Sequence, residues 1–137
     1  MVFSSEEYLE YVGTGFNDAM GIWVNGVQAE LTVGNGDITI NNINDESNEN
    51  LYIDNSDKDD SYNTEMDGFT VTLTLKAPVT PGEVNTIKIA IADGGDAKYD
   101  SNLLIAGDSI QTALVAGDDT IEVNGESETF DLLANDQ

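Results

Sequence analysis

A strand that leads into an acidic loop is the feature that most restricts how this chain can fold. Over residues 86–92, isoleucine alternates with smaller or polar residues, which is the period-two pattern of a strand with one face towards a core. The chain then turns at a glycine pair into a loop that carries Asp93, Asp96 and Asp100. Three carboxylates this close together repel one another unless a cation lies between them. The sequence therefore predicts a β-domain whose acidic loop binds Ca²⁺.

The charge of the chain is strongly one-sided, with 27 acidic and 4 basic residues and a net charge of −23. Halophilic proteins, disordered acidic segments and proteins that bind divalent cations all carry such an excess. Recurrent strand patterns argue against disorder. Halophilic proteins spread acidic residues evenly, whereas here these residues cluster in predicted turns. We therefore favour the binding of several Ca²⁺ ions.

The composition also excludes several functions. Four basic residues are too few for phosphate recognition, so neither nucleic acid nor an acidic membrane is an expected partner. Cysteine and histidine are absent, which excludes disulfides, zinc–thiolate sites and the commonest general base, and leaves the oxygen donors that suit Ca²⁺. No apolar run approaches the ~20 residues of a membrane span. This composition is typical of an extracellular bacterial protein.

Short strand patterns separated by turn signals predict an all-β sandwich. The alternation is clearest over residues 69–75, where apolar residues alternate with threonine. The pair Asn25-Gly26 predicts a two-residue hairpin turn between a buried strand at 21–24 and its partner at 27–33. Residues 5–12 are predicted as a short helix or helical turn, with Ser5 as its cap. Further short strands are predicted at residues 2–4, 38–40, 51–53, 103–106 and 109–116.

Asp18 and Glu7 are the predicted metal ligands outside the acidic loop that lie nearest the start of the chain. Asp18 lies between Phe16 and Met20, and a carboxylate among apolar neighbours is paired or metal-bound. With four basic residues in the chain, a metal is the expected partner. Glu7 belongs to an acidic cluster whose alternative role is to complement a helix N-terminus.

A second acidic stretch supplies two further predicted ligands, Asp54 and Asp67. Asp54 begins a run with Asp57, Asp59 and Asp60 that is either a looser Ca²⁺ site or a solvated face. Asp67 is either a ligand or a turn residue before the strand that follows. The predicted metal ligands are therefore Glu7, Asp18, Asp54, Asp67, Asp93, Asp96 and Asp100.

The start of an EF-hand at Asp57-x-Asp59 is rejected. Tyr62 stands where that loop needs glycine, and Gly68 stands where it needs glutamate. An enzyme is not expected either, because the sequence has no Ser–His or Cys–His pair and no phosphate loop. Carboxylate pairs are inevitable among 27 acidic residues. A glycan-binding or glycan-hydrolysing domain remains an alternative, and hydrolysis would need two carboxylates facing each other across a cleft.

The segment FSSEEYLEYV at residues 3–12, followed by GFND at 15–18, resembles the signature of the bacterial choice-of-anchor L domain. The resemblance continues in order through residues 38–44, 52–55, 67–70 and 89–101. It implies a Ca²⁺-rich β-sandwich similar to the peptide-binding module of RTX adhesins, in which one Ca²⁺ binds the free C-terminal carboxylate of a peptide or protein on a host or partner cell. Such modules serve cell adhesion and biofilm formation at the bacterial surface.

The resemblance also implies how the domain is organised. Family members carry further strands before the segment at residues 3–12, so the sandwich at residues 1–116 is expected to lack N-terminal strands. Residues 117–137 resemble a linker and the start of an Ig- or cadherin-like extender repeat, so neighbouring extender domains are expected partners. The alternative function is a structural spacer that Ca²⁺ rigidifies.

The predicted pocket lies between residues 6–18 and 93–101, at one end of the sandwich. There the metal would reverse the repulsion between the acidic surface and an anionic ligand. Asn-rich loops at residues 41–55 would hydrogen-bond the peptide backbone. The predicted ligand-binding residues are Glu6, Asn17, Asn42, Asn44, Asn55 and Ser101.

Overall fold

The computed structural model describes residues 1–56 and 61–113. By its contacts the chain divides into a first unit, Met1–Gly107, and a second unit, Asp108–Gln137. The acidic run at Asp57, Asp59 and Asp60, the predicted boundary at residue 116 and the predicted linker at 117–137 lie outside the described residues. The described part of the strand predicted at 109–116, residues 109–113, is not a strand.

In the described part of the first unit the regular secondary structure is almost entirely β-strand and there is no α-helix, which confirms the predicted all-β, sandwich-like fold. A first sheet has the order β10-β1-β7-β6, a second has the order β3-β2-β5 with β9 also paired to β2, and a third consists of β4 and β8. All of these pairings are antiparallel. The strands are β1 Val2–Ser5, β2 Ala19–Val24, β3 Val27–Gln28, β4 Glu30–Leu31, β5 Ile38–Thr39, β6 Tyr52–Asp54, β7 Gly68–Thr70, β8 Leu75–Lys76, β9 Ile87–Ala92 and β10 Ser101–Leu104, with a 3₁₀ turn at Glu49–Leu51.

The core lies where the first two sheets face each other, because its residues come from both. Phe3 of β1 and Met20 of β2 belong to one buried cluster, which the loops after β5 extend. Burial of this apolar surface is the main stabilising contribution to the fold. The cluster contains Phe3, Tyr8, Met20, Ile38, Ile40, Ile43, Leu51 and Leu73.

The predicted Asn25-Gly26 hairpin is confirmed. Both residues have positive φ, 50° and 83°, as a type I′ turn requires, and Val24 pairs with Val27 across it. The partner strand is shorter than the predicted 27–33. Ala29 N still donates to Ile22 O at 2.8 Å, and from Glu30 onwards the chain pairs with β8 instead, as β4.

Two predictions of local structure are met only in part. Of the two alternatives for residues 5–12, the helix does not form: Ser5 ends β1, and the following residues form successive turns, one of which has the i to i+4 bond of a helical turn, from Tyr11 N to Glu7 O at 3.2 Å. One such bond is too little to propagate a helix. The strand predicted at 69–75 is divided between β7 and β8, because the chain passes from the first sheet to the third. Thr70 is buried, although the alternating pattern places the threonines on the polar face of the strand. Its hydroxyl accepts a hydrogen bond from Phe3 N at 3.1 Å.

β9 forms as predicted and pairs with all six residues of β2. Cross-strand partners share a face, so the isoleucines of β9 lie on the same face as Met20, Ile22 and Val24. Ile89 is nevertheless 41% exposed, because β9 pairs with a strand on one side only. The shorter strands predicted near residues 2, 38, 51 and 103 are present, with bounds shifted by one or two residues.

Candidate metal centre

Three strands bring Glu7, Asp18 and Asp93 together. Asp18 directly precedes β2, and Asp93 directly follows β9. Because Ala19 pairs with Ala92 in this antiparallel ladder, the residues one step further are placed opposite each other. Glu7 lies two residues after the end of β1. The centre is thus built at the point where two sheets end.

The geometry of these three carboxylates is that of a cation site. One oxygen from each residue lies within 4.8 Å of the others. Glu7 and Asp18 are fully buried, whereas Asp93 is exposed. Oxygen donors at such separations suit a hard divalent cation, so the cluster could hold a metal ion. The exposed position of Asp93 leaves the centre accessible from one side.

Glu7 is the unusual member of the cluster. Both of its carboxylate oxygens are buried and have no hydrogen-bond partner among the described residues. Burial, followed by the charge of Asp18, raises the pKa of Glu7 to about 7. A buried carboxylate without a donor is strongly unfavourable, and either a proton or a cation relieves it.

Asp18, in contrast, is held by donors from three segments. The hydroxyl of Ser5 donates to its Oδ2 at 3.3 Å, and the hydroxyl of Ser101 donates to the same oxygen. The backbone N–H of Gly94 donates to Oδ1 at 3.0 Å. These bonds fix the orientation of the carboxylate and tie β1, β10 and the acidic loop together.

The two glycines of the acidic loop allow it to pack closely against residues 15–17. Gly94 O accepts a bond from Asn17 N at 2.8 Å, and a Cβ on Gly94 would clash with the Asn17 carbonyl oxygen. Gly95 has a φ of 123°, which L-residues with side chains rarely adopt. Only glycine therefore allows the loop to approach Asn17 this closely and to place Asp93 beside Asp18.

The carboxylate of Asp93 is repelled by the other carboxylates of the loop and by Asp18. Desolvation raises its pKa, and the charges of Asp18, Asp96 and Asp100 raise it further, against a lowering by a backbone hydrogen bond from Asp96. The loop thus gathers negative charge next to the centre. A cation bound there would remove this repulsion.

The other predicted metal ligands are not members of the three-carboxylate cluster. On the acidic loop, Asp96 forms an ion pair with Lys98 at 3.8 Å, and Asp100 is bonded through its backbone to Glu6. Asp54 lies on β6, where it accepts bonds from Tyr52 OH at 3.3 Å and Ser56 N at 3.1 Å. Asp67 directly precedes β7. Their assignment as ligands of further ions stays a prediction.

Three of the predicted ligand-binding residues line the walls of the centre. Ser101 donates to Asp18, Asn17 Oδ1 accepts from the backbone of Asn41 at 3.1 Å, and Glu6 Oε2 accepts from Asp100 N at 2.8 Å. The two predicted walls, residues 6–18 and 93–101, therefore meet. The bond between Glu6 and Asp100 closes them on one side.

The other three predicted ligand-binding residues use their amides within loops. Asn42 Nδ2 donates to Asp37 O at 2.8 Å, Asn44 Nδ2 to Ile40 O at 2.9 Å and Asn55 Nδ2 to Met66 O at 2.9 Å. These bonds stabilise the polar loops. A role of the three amides in binding a peptide stays a prediction.

Sequence reasoning missed the role of Ser5, whose hydroxyl donates to Asp18 as well as accepting from Glu7 N at 3.0 Å. A serine before two glutamates predicts a helix cap equally well. Only the approach of Asp18, 13 residues later, distinguishes the two roles.

Comparison with known proteins identifies one family. A family model described as the choice-of-anchor L domain matches residues 1–111, and this description indicates a domain of a cell-surface protein. No curated protein and no solved structure matches the chain significantly. In the described residues there is no helix with the length and apolarity that a bilayer crossing requires.

Proposed function

The chain belongs to the choice-of-anchor L family, and from this membership together with the buried carboxylate centre we propose that it is a calcium-dependent ligand-binding module of a large bacterial surface adhesin. Its ligand is the free C-terminus of a peptide or protein on a host or partner cell. Its role is cell adhesion and biofilm formation outside the bacterial cell.

The observation that carries this proposal is the environment of the Glu7 carboxylate. Its buried carboxylate has no donor among the described residues and lies beside the carboxylates of Asp18 and Asp93. The chain has no histidine or cysteine, so a resident metal would have oxygen ligands only, which favours Ca²⁺ over zinc or copper. Ca²⁺ takes about 6–8 oxygen ligands. Three carboxylates therefore leave coordination positions for another donor.

A ligand carboxylate is a suitable donor for such a position. The net charge of −23 repels an anionic ligand at a distance, and a bound Ca²⁺ reverses the sign of the field locally. Asp93 is exposed, so the ligand would approach from its side. A free chain terminus offers a backbone carboxylate that no internal residue has, which gives selectivity for C-termini.

Calorimetry with short peptides tests this function. A peptide with a free C-terminus is expected to bind in Ca²⁺, and neither its amidated form nor the free peptide in EDTA is expected to bind. Glu7→Gln and Asp93→Asn should remove binding, whereas Glu30→Gln, an exposed acid on β4, should not. Binding that survives both amidation and chelation would contradict the proposal.

The proposal extends to further Ca²⁺ ions and to neighbouring domains of the same protein. Further Ca²⁺ ions would be bound by Asp54, Asp67, Asp96 and Asp100. Residues 117–137 would begin the extender repeat of an RTX-type adhesin, and neighbouring extender domains would be partners in the same chain. We propose a binding role rather than an enzymatic one, since the chain lacks histidine and cysteine as general base or nucleophile.

A structural spacer is the second candidate, and the bonds to Asp18 favour it. Donors from Ser5, Ser101 and Gly94 converge on this one carboxylate, so a cation there would also rigidify the junction of the two sheets. A spacer would gain stability from Ca²⁺ without binding peptide. Calorimetry and thermal unfolding measured on the same protein separate the two candidates.

A further inference from the structure

We propose that the outer face of the second sheet carries a saccharide-binding site centred on Trp23. This site is additional to the carboxylate centre and does not depend on it. The cavity beside Trp23 has a volume of about 270 Å³. Its lining consists of small residues, one indole ring, the apolar residues Met20 and Ile91, and a polar rim.

Strand register separates this site from the carboxylate centre. Residues two apart on a strand share a face, so Met20 and Ile22 lie on the core face of β2, and Trp23 lies on the opposite face. The same alternation places Asp18 on the side of Met20. The side chains of Asp18 and Trp23 therefore lie on opposite faces of the β2–β9 pair.

The floor of the cavity is made by residues that have little or no side chain. Ala19 pairs with Ala92, and Gly21 pairs with Ala90, so the two strands present a smooth patch between them. The indole of Trp23 folds back over Gly21, where a Cβ would come within 2.5 Å of the ring carbon Cη2. Glycine at this position therefore allows the ring to lie along the sheet as one wall of the cavity.

Lys88 does not occupy this cavity. Its ammonium group lies 5.3 Å from the centroid of the Trp23 ring, as a cation–π contact. Lys88 lines a neighbouring hollow with Gly26 and Thr86, on the hairpin side of the ring. The indole therefore separates two hollows, and the one over Gly21 is free of the lysine.

A polar rim borders the cavity on the side of β3 and β5. Gln28, Asp37 and Thr39 line it there. Gln28 Nε2 donates to Asp37 Oδ1 at 3.0 Å, and Asn42 fixes the backbone carbonyl of Asp37 at 2.8 Å. The rim thus presents a carboxylate, an amide and a hydroxyl in an ordered arrangement. Such groups both donate and accept hydrogen bonds.

An uncharged sugar ring is the ligand class that this combination fits. The C–H face of a pyranose is apolar and can pack on an indole, while its hydroxyls require mixed donors and acceptors at the edge. An anionic ligand would be repelled by the net charge of −23. A cationic ligand would have to share the indole with Lys88. A purely apolar ligand would form no hydrogen bonds with the polar groups of Asp37, Gln28 and Thr39 that line the rim.

Trp23 is the only tryptophan of the chain, so its fluorescence reports on ligands that bind beside this ring. The methyl β-glycosides of glucose, galactose and N-acetylglucosamine are titrated into the full chain in Ca²⁺. At least one should give a saturable change in emission at millimolar concentration. Asp37→Ala should weaken that affinity roughly tenfold or more, whereas Asp45→Ala, which also removes an exposed acid, and Lys88→Ala should leave it unchanged.

Saturation-transfer NMR on the same sugar supplies a second readout. Transfer to the sugar ring protons should be lost in Trp23→Ala, and if that variant does not fold, the Asp37→Ala and Asp45→Ala pair decides. The proposal is overturned if none of the three glycosides gives a saturable signal, or if Asp37→Ala binds as well as the unmodified chain. It is also overturned if tetramethylammonium, but no sugar, changes the emission of Trp23.

Discussion

The carboxylates of Glu7 and Asp18 are equally buried but differ in their surroundings. Asp18 accepts bonds from two hydroxyls and one backbone N–H. Glu7 accepts none from the described residues. Because a buried carboxylate without donors favours its neutral form, Glu7 is the group that takes up a proton when no cation is bound.

The metal-free protein should therefore lose stability as the pH rises. The pKa of Glu7 is raised from 4.5 to about 7 by burial and by Asp18. Between these values the folded state binds a proton that the unfolded state has released, so the free energy of unfolding falls with rising pH across this window. The loss is on the order of 3 kcal/mol. Thermal unfolding in EDTA from pH 4 to 8 measures it.

Glu7→Gln is the matched variant for this experiment. It should remove most of the pH dependence between the two pKa values, because glutamine does not titrate. Glu30→Gln, on the exposed strand β4, should keep it. A Glu7→Gln protein with an unchanged pH profile would show that another group causes the dependence.

At the scale of elements, the pairing of β2 with β9 contributes to both candidate sites. It places Asp18 opposite Asp93, and it supplies Trp23 and the small residues of the cavity beside that ring. The pairing continues beyond the strands, since Asn17 N donates to Gly94 O at 2.8 Å and Asn25 N donates to Thr86 O at 2.9 Å. The loop after β9 is thereby held against the segment before β2. The position of Asp93 depends on this extension of the ladder.

Gly94→Ala tests that dependence. Its Cβ would clash with the backbone carbonyl of Asn17, so the loop must move away from Asp18. We expect a destabilisation of about 1–3 kcal/mol and a weaker affinity for Ca²⁺. Gly107→Ala, whose Cβ would meet nothing within 4 Å, is the control. Thermal unfolding and Ca²⁺ titration of both variants check the prediction, and equal Ca²⁺ affinities would contradict it.

At the scale of the whole molecule, the net charge of −23 opposes the compact state. Lys98 with Asp96 is the one ion pair in the described part of the chain. Charge repulsion is therefore hardly offset by basic side chains. Bound cations and screening by salt are the remaining ways to reduce it.

Ca²⁺ should raise the melting temperature because it binds the folded state. The gain at a free concentration one hundred times Kd is about 2.7 kcal/mol. EDTA should reverse it, and NaCl at matched ionic strength should give much less. Differential scanning calorimetry distinguishes the two salts. Equal stabilisation by NaCl and CaCl₂ would favour the halophilic interpretation over a specific site.

The sequence by itself determined the features that depend on neighbouring residues and on composition. Period-two alternation predicted the β9 strand, and Asn25-Gly26 predicted the hairpin, because these signals act within a few residues. The absence of histidine and cysteine left oxygen as the only common metal donor. The motif at residues 3–12 indicated the family that the comparison found.

Only the tertiary structure decided which acids meet. Among 27 acidic residues, local sequence gives no register, and it is the antiparallel ladder of β2 and β9 that sets Asp18 opposite Asp93. The segment at 5–12 is not a helix, and its turns bury Glu7 against Asp18 instead. The strand predicted at 69–75 is divided because its halves pair in different sheets. Long-range pairing, which no local pattern encodes, therefore fixed the site, since each strand could bury its apolar face against several partners.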